Sequence, residues 1–167
     1  MKLFSANIED LRTLYIDSLQ KALDMEQKIT KALPTMIEKS TDPELSSAFS
    51  NHLEQTRQHV TKVESLLTDA TGEAKTTTCK VIGGLTTEAE DNIKDATDPG
   101  IRDISLIASG QQVEHHEIAV YGTLRTWAEI LGLRQDAAVL QSILAEEEEA
   151  DQLLTQISEH VNMEQAA

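Results

Sequence analysis

Apolar residues recur at spacings of three and four through most of this 167-residue chain, and a few acidic residues stand at positions where the repeat calls for an apolar one. A repeat of that period builds long amphipathic helices. Ile8, Leu11, Tyr15, Leu19, Ala22, Ile29, Leu33 and Met36 share one face, and Glu26 falls in it one heptad from both Leu19 and Leu33. Glu114 stands in line with Ile107 and Tyr121, and Glu147 lies between Leu140 and Leu154. Asp151 follows one turn later. A carboxylate in a packed apolar seam is costly unless its charge is compensated. A divalent metal compensates several carboxylates at once.

Composition narrows the class. Only three prolines, seven glycines and a handful of aromatic residues argue against a β-sandwich and for long helices. Fourteen Lys and Arg against 29 Asp and Glu give a formal net charge of −15. Without a basic stripe, nucleic acid and anionic membrane surfaces are not expected as partners. No apolar run approaches a membrane span. The first ten residues lack an apolar signal core, and the single cysteine, Cys79, has no internal disulfide partner, so a cytoplasmic location is expected.

The pattern predicts an all-α, single-domain chain over 1–167. A first helix covers 8–39, although Pro34 should kink it. Asp42, Pro43 and Glu44 open a second, about 43–70. Residues 71–79 read as a loop and 80–96 as a short helix weakened by Gly83-Gly84. Asp98-Pro99-Gly100 starts a long helix of about 100–131, Gly132 stops it, and Gln135 or Asp136 opens the last, which runs to about 161. Two hairpins, 8–70 and 100–161, joined by a connector at 71–99 that carries a short helix, describe a ferritin-like four-helix bundle. The 100–131 helix has a second apolar face at Leu106, Val113, Val120, Leu124, Trp127 and Leu131. The short helix, a second copy of the chain or both must cover it, and a homodimer is expected.

Helix arithmetic brings the acids to matching heights. Reflecting Glu26 through a turn near residue 40 or 41 lands at about residue 55, beside His52, Thr56 and His59. Reflecting Glu114 through a turn near 133 or 134 lands at about residue 153, level with Asp151 and about one turn from Glu147. Di-metal carboxylate bundles place a Glu on each of two helices and a Glu-x-x-His on each of the other two. Here Glu54 is followed at i+3 by Arg57, and Glu147 by Ala150. Glu54 also points away from Phe49, Leu53 and Val60, which favours His52 over Glu54 as the ligand of the second helix. Glu26, His52, Glu114, Glu147 and Asp151 form the expected metal set, with Glu54, His59 and Glu117 as further members to consider. Tyr121 reads as core, with a hydroxyl able to hold a ligand carboxylate if it lies near the site. Of the run Glu146 to Glu149, three members must face outward. His115 and His116 read as boundary or surface residues, and Cys79 has no basic or histidine neighbour in sequence that would make it a nucleophile.

The segments 14–27 (LYIDSLQKALDMEQ), 52–56 (HLEQT), 113–124 (VEHHEIAVYGTL) and 144–151 (LAEEEEAD) resemble the bacterial YciE/YciF stress-protein family of the ferritin-like superfamily. The likeness covers almost the whole chain. It implies a five-helix, homodimeric bundle with a centre of the di-metal type. Glu26, His52, Glu114, Glu147 and Asp151 match the family's pattern, as do Glu54 and Glu117. Some members carry a histidine where this chain has Arg57, so the resemblance implies one imidazole fewer here than in those members.

These readings converge on a stress-associated protein that holds iron or manganese and reacts with peroxide, dioxygen or ferrous iron; no catalytic residue is assigned. One alternative is a non-catalytic helical interaction protein with a degenerate site, its acids neutralised by protons or by Arg57 and Arg125. Another is a subunit of an iron-storage cage.

Overall fold

The structure, a computed structural model, describes residues 8–166. Residues 1–7, on which most of the N-terminal signal reading falls, lie outside the described residues. Five helices follow one another: α1 (Leu11–Lys39), α2 (Pro43–Thr71), α3 (Lys80–Asp95), α4 (Pro99–Ile130) and α5 (Arg134–Ala166). There is no strand among the described residues. Helix α1 packs on α2 and α4 on α5, while α1 meets α4 and α2 meets α5. The four long rods therefore form a closed square, and α3 lies across α1 and α4. This is the ferritin-like four-helix bundle with a short helix in its crossover.

The starts are made by side chains that accept from free backbone N–H groups. Asp10 accepts from Thr13 N at 2.7 Å, Asp42 from Leu45 N at 2.8 Å and Asp98 from Ile101 N at 3.0 Å. Pro43 and Pro99 occupy first-turn positions that need no N–H. Gly72 and Gly132 end α2 and α4 in the left-handed region, at φ 86° and 74°. Pro34 stands inside α1 on an exposed face, and the helix continues past it to Lys39. One expectation is corrected. Helix α5 opens at Arg134, ahead of Gln135 and Asp136, because Ala137 N already donates to Leu133 O at 3.0 Å. Asp136 instead accepts from the buried Tyr15 hydroxyl at 2.9 Å and ties α5 to α1.

Asp103 was not singled out by sequence. Buried in the first turns of α4, it accepts from Thr41 N at 2.9 Å, Thr41 Oγ1 at 2.5 Å and Asp42 N at 2.8 Å. The turn between α1 and α2 is thereby fastened to the start of the second hairpin. Midway along α4, Gly110 lets the rods close. A Cβ there would stand 3.0 Å from Leu154 Cδ1 and 3.2 Å from Phe49 Cε1. One turn further on, the centre of the bundle becomes polar.

The second apolar face of α4 is covered in part. Leu106 and Leu124 are buried, with α3 packed on the helix through Ile82 and through Asn92, which donates to Ser109. Towards the other end, Val120, Leu124 and Trp127 line a groove of about 550 Å³ together with Met25 and Val81.

Candidate metal centre

Six ionisable side chains meet in the middle of the bundle: Glu26 of α1, His52 and His59 of α2, Glu114 and Glu117 of α4, and Glu147 of α5. Helical spacing puts them there. His52 and His59 stand two turns apart on one face, and Glu114 and Glu117 one turn apart. A turn centred near residue 41 sets Glu26 opposite Thr56, between the two histidines. A turn centred on Gly132, between the end of α4 and the start of α5, sets Glu117 opposite Glu147. Glu114 reflected through the same turn lands at residue 150, beside Asp151, which is level with the centre but sits on the flank of α5 against His115.

Two groups form. In one, donor atoms of His52, Glu114, Glu117 and Glu147 all lie within 4.8 Å of one another; in the other, so do those of Glu26, His59 and Glu147. Glu147 belongs to both. Its Oε1 lies 2.9 Å from His59 Nδ1, and its Oε2 lies 3.9 Å from His52 Nδ1. His52 Nε2 is 3.2 Å from Glu114 Oε1 and 3.8 Å from Glu117 Oε2. His59 Nδ1 is 3.8 Å from Glu26 Oε1.

The surroundings fix several members. The Tyr121 hydroxyl donates a short hydrogen bond to Glu26 Oε1, as its position in the stripe allowed. The outer nitrogen of His59 lies 2.6 Å from Glu146 Oε2, and Lys62 Nζ holds the other Glu146 oxygen at 3.1 Å. Nothing in the acidic run 146–149 distinguished Glu146 from its solvated neighbours, because its partners lie on another helix. Thr56 turns its hydroxyl inward to the His52 carbonyl at 2.8 Å and leaves the cluster alone.

The polar accounting does not close. Glu26 Oε2, Glu114 Oε2, both oxygens of Glu117 and of Glu147, both nitrogens of His52 and His59 Nδ1 are buried without a hydrogen bond of regular geometry, their near polar neighbours being one another. Buried polar atoms are nearly always satisfied, and a concentration of exceptions calls for an ion or water. Among the described residues, the ion pairs of these four glutamates are with His52 and His59 only. Arg57 pairs instead with Glu54 on the surface, and Arg125 donates to Gln141 at 3.0 Å, so neither guanidinium neutralises the centre.

Protons respond to that imbalance. Burial, with the Glu147 charge behind it, pushes the Glu26 carboxyl up to about 8 against the pull of His59 and Tyr121. Burial and the Glu147 charge hold Glu114 and Glu117 well above the usual carboxylate range. Burial lowers His52, which favours the neutral ring a metal requires. For His59 burial pulls the same way, but Glu147 and Glu26 override it and raise the ring to about 9.

The structure gathers Glu26, His52, Glu114 and Glu147 of the expected set, and adds His59 and Glu117. Asp151 stands outside both groups, half-buried, with Oδ1 3.2 Å from the exposed His115 Nδ1. Its charge still contributes to the rise of Glu114. Glu54 faces solvent. Cys79 does have a histidine neighbour after all: His116 Nε2 lies 3.6 Å from its sulfur, brought there by the packing of the connector on α4.

A four-helix bundle with a buried glutamate–histidine cluster on four different rods is the class that fold and site define. The chain belongs to the family described as a domain of unknown function, DUF892, which it matches over residues 10–167. It is 34% identical over 153 residues to Protein YciF of Escherichia coli K12, covering 91% of this chain and 92% of the relative. The crystal structure of that E. coli protein, described as a stress protein, superposes with a TM-score of 0.87 at 33% identity, over 92% and 97% of the two chains. YcfI of Rhodopseudomonas palustris, named as a candidate structural protein, gives 0.88 at 35% identity over 92% and 98%. A Xanthomonas campestris protein gives 0.74 at 22% identity over 92% and 94%, a likeness of fold alone. No described helix is long and apolar enough to cross a membrane.

Proposed function

We propose that the cluster binds two divalent metal ions, iron or manganese, and supports redox chemistry with peroxide, dioxygen or ferrous iron in a stress-associated role. The observation that carries this reading is the set of buried, unpartnered carboxylate and imidazole atoms split into two groups that share Glu147. Mixed oxygen and imidazole donors suit iron and manganese. Glu147 would bridge, Glu114, Glu117 and His52 would complete one position, and Glu26 and His59 the other. A bound ferrous or manganous pair supplies the two electrons that, with two protons, reduce hydrogen peroxide to water. The protein's part is to hold charge and exclude solvent. Tyr121 fixes one Glu26 oxygen, Glu146 and Lys62 fix the outer edge of His59, and the surrounding apolar residues close the Glu26, His59 and Glu147 side of the centre to solvent. Asp151 would act from outside, through its charge.

Anaerobic titration with ferrous iron or Mn(II), followed by metal analysis, tests the reading. About two metals per chain are expected by analogy with di-metal bundles. Combined Glu26→Ala and Glu114→Ala replacement should reduce that uptake; unchanged uptake would end the assignment.

A second reading is a non-catalytic helical protein whose centre is neutralised by protons. The raised Glu26, Glu114 and Glu117 carboxyls favour it. It predicts an unchanged melting temperature when Mn(II) or ferrous iron is added. The open groove beside Val120 and Trp127 is read as the surface for a second copy of the chain; sedimentation as a monomer at micromolar concentration would reject that.

A further inference from the structure

The centre is not equally closed on all sides. His52 and Glu114 are 5% and 3% exposed, whereas Glu26, His59, Glu117 and Glu147 are all at 0%. An opening of about 180 Å³ between α2 and α5 accounts for the difference, since His52 and Glu114 form its floor. Asn51, Gln55 and Glu149 stand around its mouth, and Ala150 is part of its wall. The larger groove at Trp127 touches none of the six clustered residues, and a second contact with His52 and Glu114, on the α1 side, is a crevice of about 20 Å³.

Ala150 follows Glu147 by three residues, so it sits one turn further along the same side of α5. A small side chain there leaves room that a larger one would fill. The opening holds several waters' worth of space, and the His52 nitrogens and Glu114 Oε2, which lack hydrogen-bond partners, lie buried just behind its floor. Its polar lining is carboxylate, amide and imidazole, with no lysine or arginine. The net charge of −15 draws cations towards the surface.

We infer that the opening between α2 and α5 is the port through which a hydrated divalent cation reaches the centre. Glu149 attracts the ion at the mouth. The side-chain oxygens of Asn51 and Gln55 replace part of its water, and His52 and Glu114 receive it. The inference rests on the proposed metal centre and adds its route of loading.

Stopped-flow mixing of the full chain with Co(II), followed by the absorption of the bound ion, measures loading separately from capacity. Ala150→Leu should slow loading at least tenfold and leave the final stoichiometry unchanged. Glu149→Gln should slow it several-fold and weaken its dependence on salt. Wild-type rates in both variants would overturn the port and leave the metal centre standing. Absence of Co(II) uptake in every form, the wild type included, would remove both. Should Ala150→Leu lower the melting temperature or the final uptake, Glu149→Gln decides, because it adds no volume: an unchanged rate overturns the port.

Discussion

Two of the regions where this bundle buries carboxylates treat them in opposite ways. Asp103 is enclosed at the end of the bundle with donors on both oxygens, two of them backbone N–H groups that a turn leaves free. Glu26, Glu114, Glu117 and Glu147 are enclosed at mid-height among one another, with two imidazoles and several atoms unmatched. Burial of an acid is common to both. What separates them is whether the polypeptide itself satisfies the charge, so the first reads as a fastening and the second as a place for cations.

The largest effect expected from this difference is on the pH dependence of the metal-free protein. Glu26 moves from an ordinary value near 4.5 to about 8 in the folded state. Between those values the folded chain holds a proton that the unfolded chain has lost, so stability falls as pH rises. His59 moves from 6.5 to about 9. Its contribution is complete below 6.5 and is lost as pH rises through 9. His52 works the other way, since a lowered ring disfavours the fold as pH falls below its unfolded value. With Glu26, Glu114, Glu117 and His59 all raised and His52 alone among the cluster lowered, the melting temperature of the metal-free protein should fall from pH 6 to pH 9, by several degrees. Saturating Mn(II) should remove the slope, because the metal replaces the protons. A flat profile without metal would break the contrast.

Metal and mutation sharpen it. Free Mn(II) at 1,000 times its Kd should add about 4 kcal/mol per occupied site to the stability of the wild type, or roughly 8–16 °C in melting temperature for each. Glu147→Ala should lose that gain by removing the residue common to both groups. Asp103→Ala should behave in the reverse manner. It strands backbone donors of the α1–α2 turn and should destabilise the protein by about 3 kcal/mol with or without metal, while metal uptake stays at the wild-type level. Thermal melts and metal analysis on the same samples separate the two patterns.

The helices were legible because period, caps and Gly132 are local signals. Asp42, Asp98, Pro43 and Pro99 mark starts that the structure keeps. The inward acids Glu26, Glu114 and Glu147 were legible for the same reason, since each breaks an apolar stripe. What sequence did not show depends on contacts between rods. Glu117, already a further member of the expected set, takes its place opposite Glu147 through the α4–α5 turn centred on Gly132. Asp103 is one aspartate among many until the Thr41 and Asp42 amides arrive from 62 and 61 residues away. The Cys79–His116 contact depends on how the connector lies on α4.

Glu146 tests how far the centre's order extends beyond the groups that would touch metal. It sits in a run of four glutamates, yet it alone among them reaches the outer nitrogen of His59, at 2.6 Å, with Lys62 behind it at 3.1 Å. A hydrogen bond at that nitrogen settles which tautomer the ring adopts and leaves Nδ1 facing Glu26 and Glu147. Glu146→Ala frees the ring to turn and removes a negative charge that favours it. Metal affinity should drop by roughly 10–100-fold at the position held by Glu26 and His59. The position held by His52, Glu114 and Glu117 should be little changed, so a two-step binding isotherm should separate into one tight and one weakened phase. Glu148→Ala, the matched change at an exposed neighbour, should leave both phases where they are. Equal weakening of the two phases by Glu146→Ala would mean that the residue acts through overall charge and not by orienting His59.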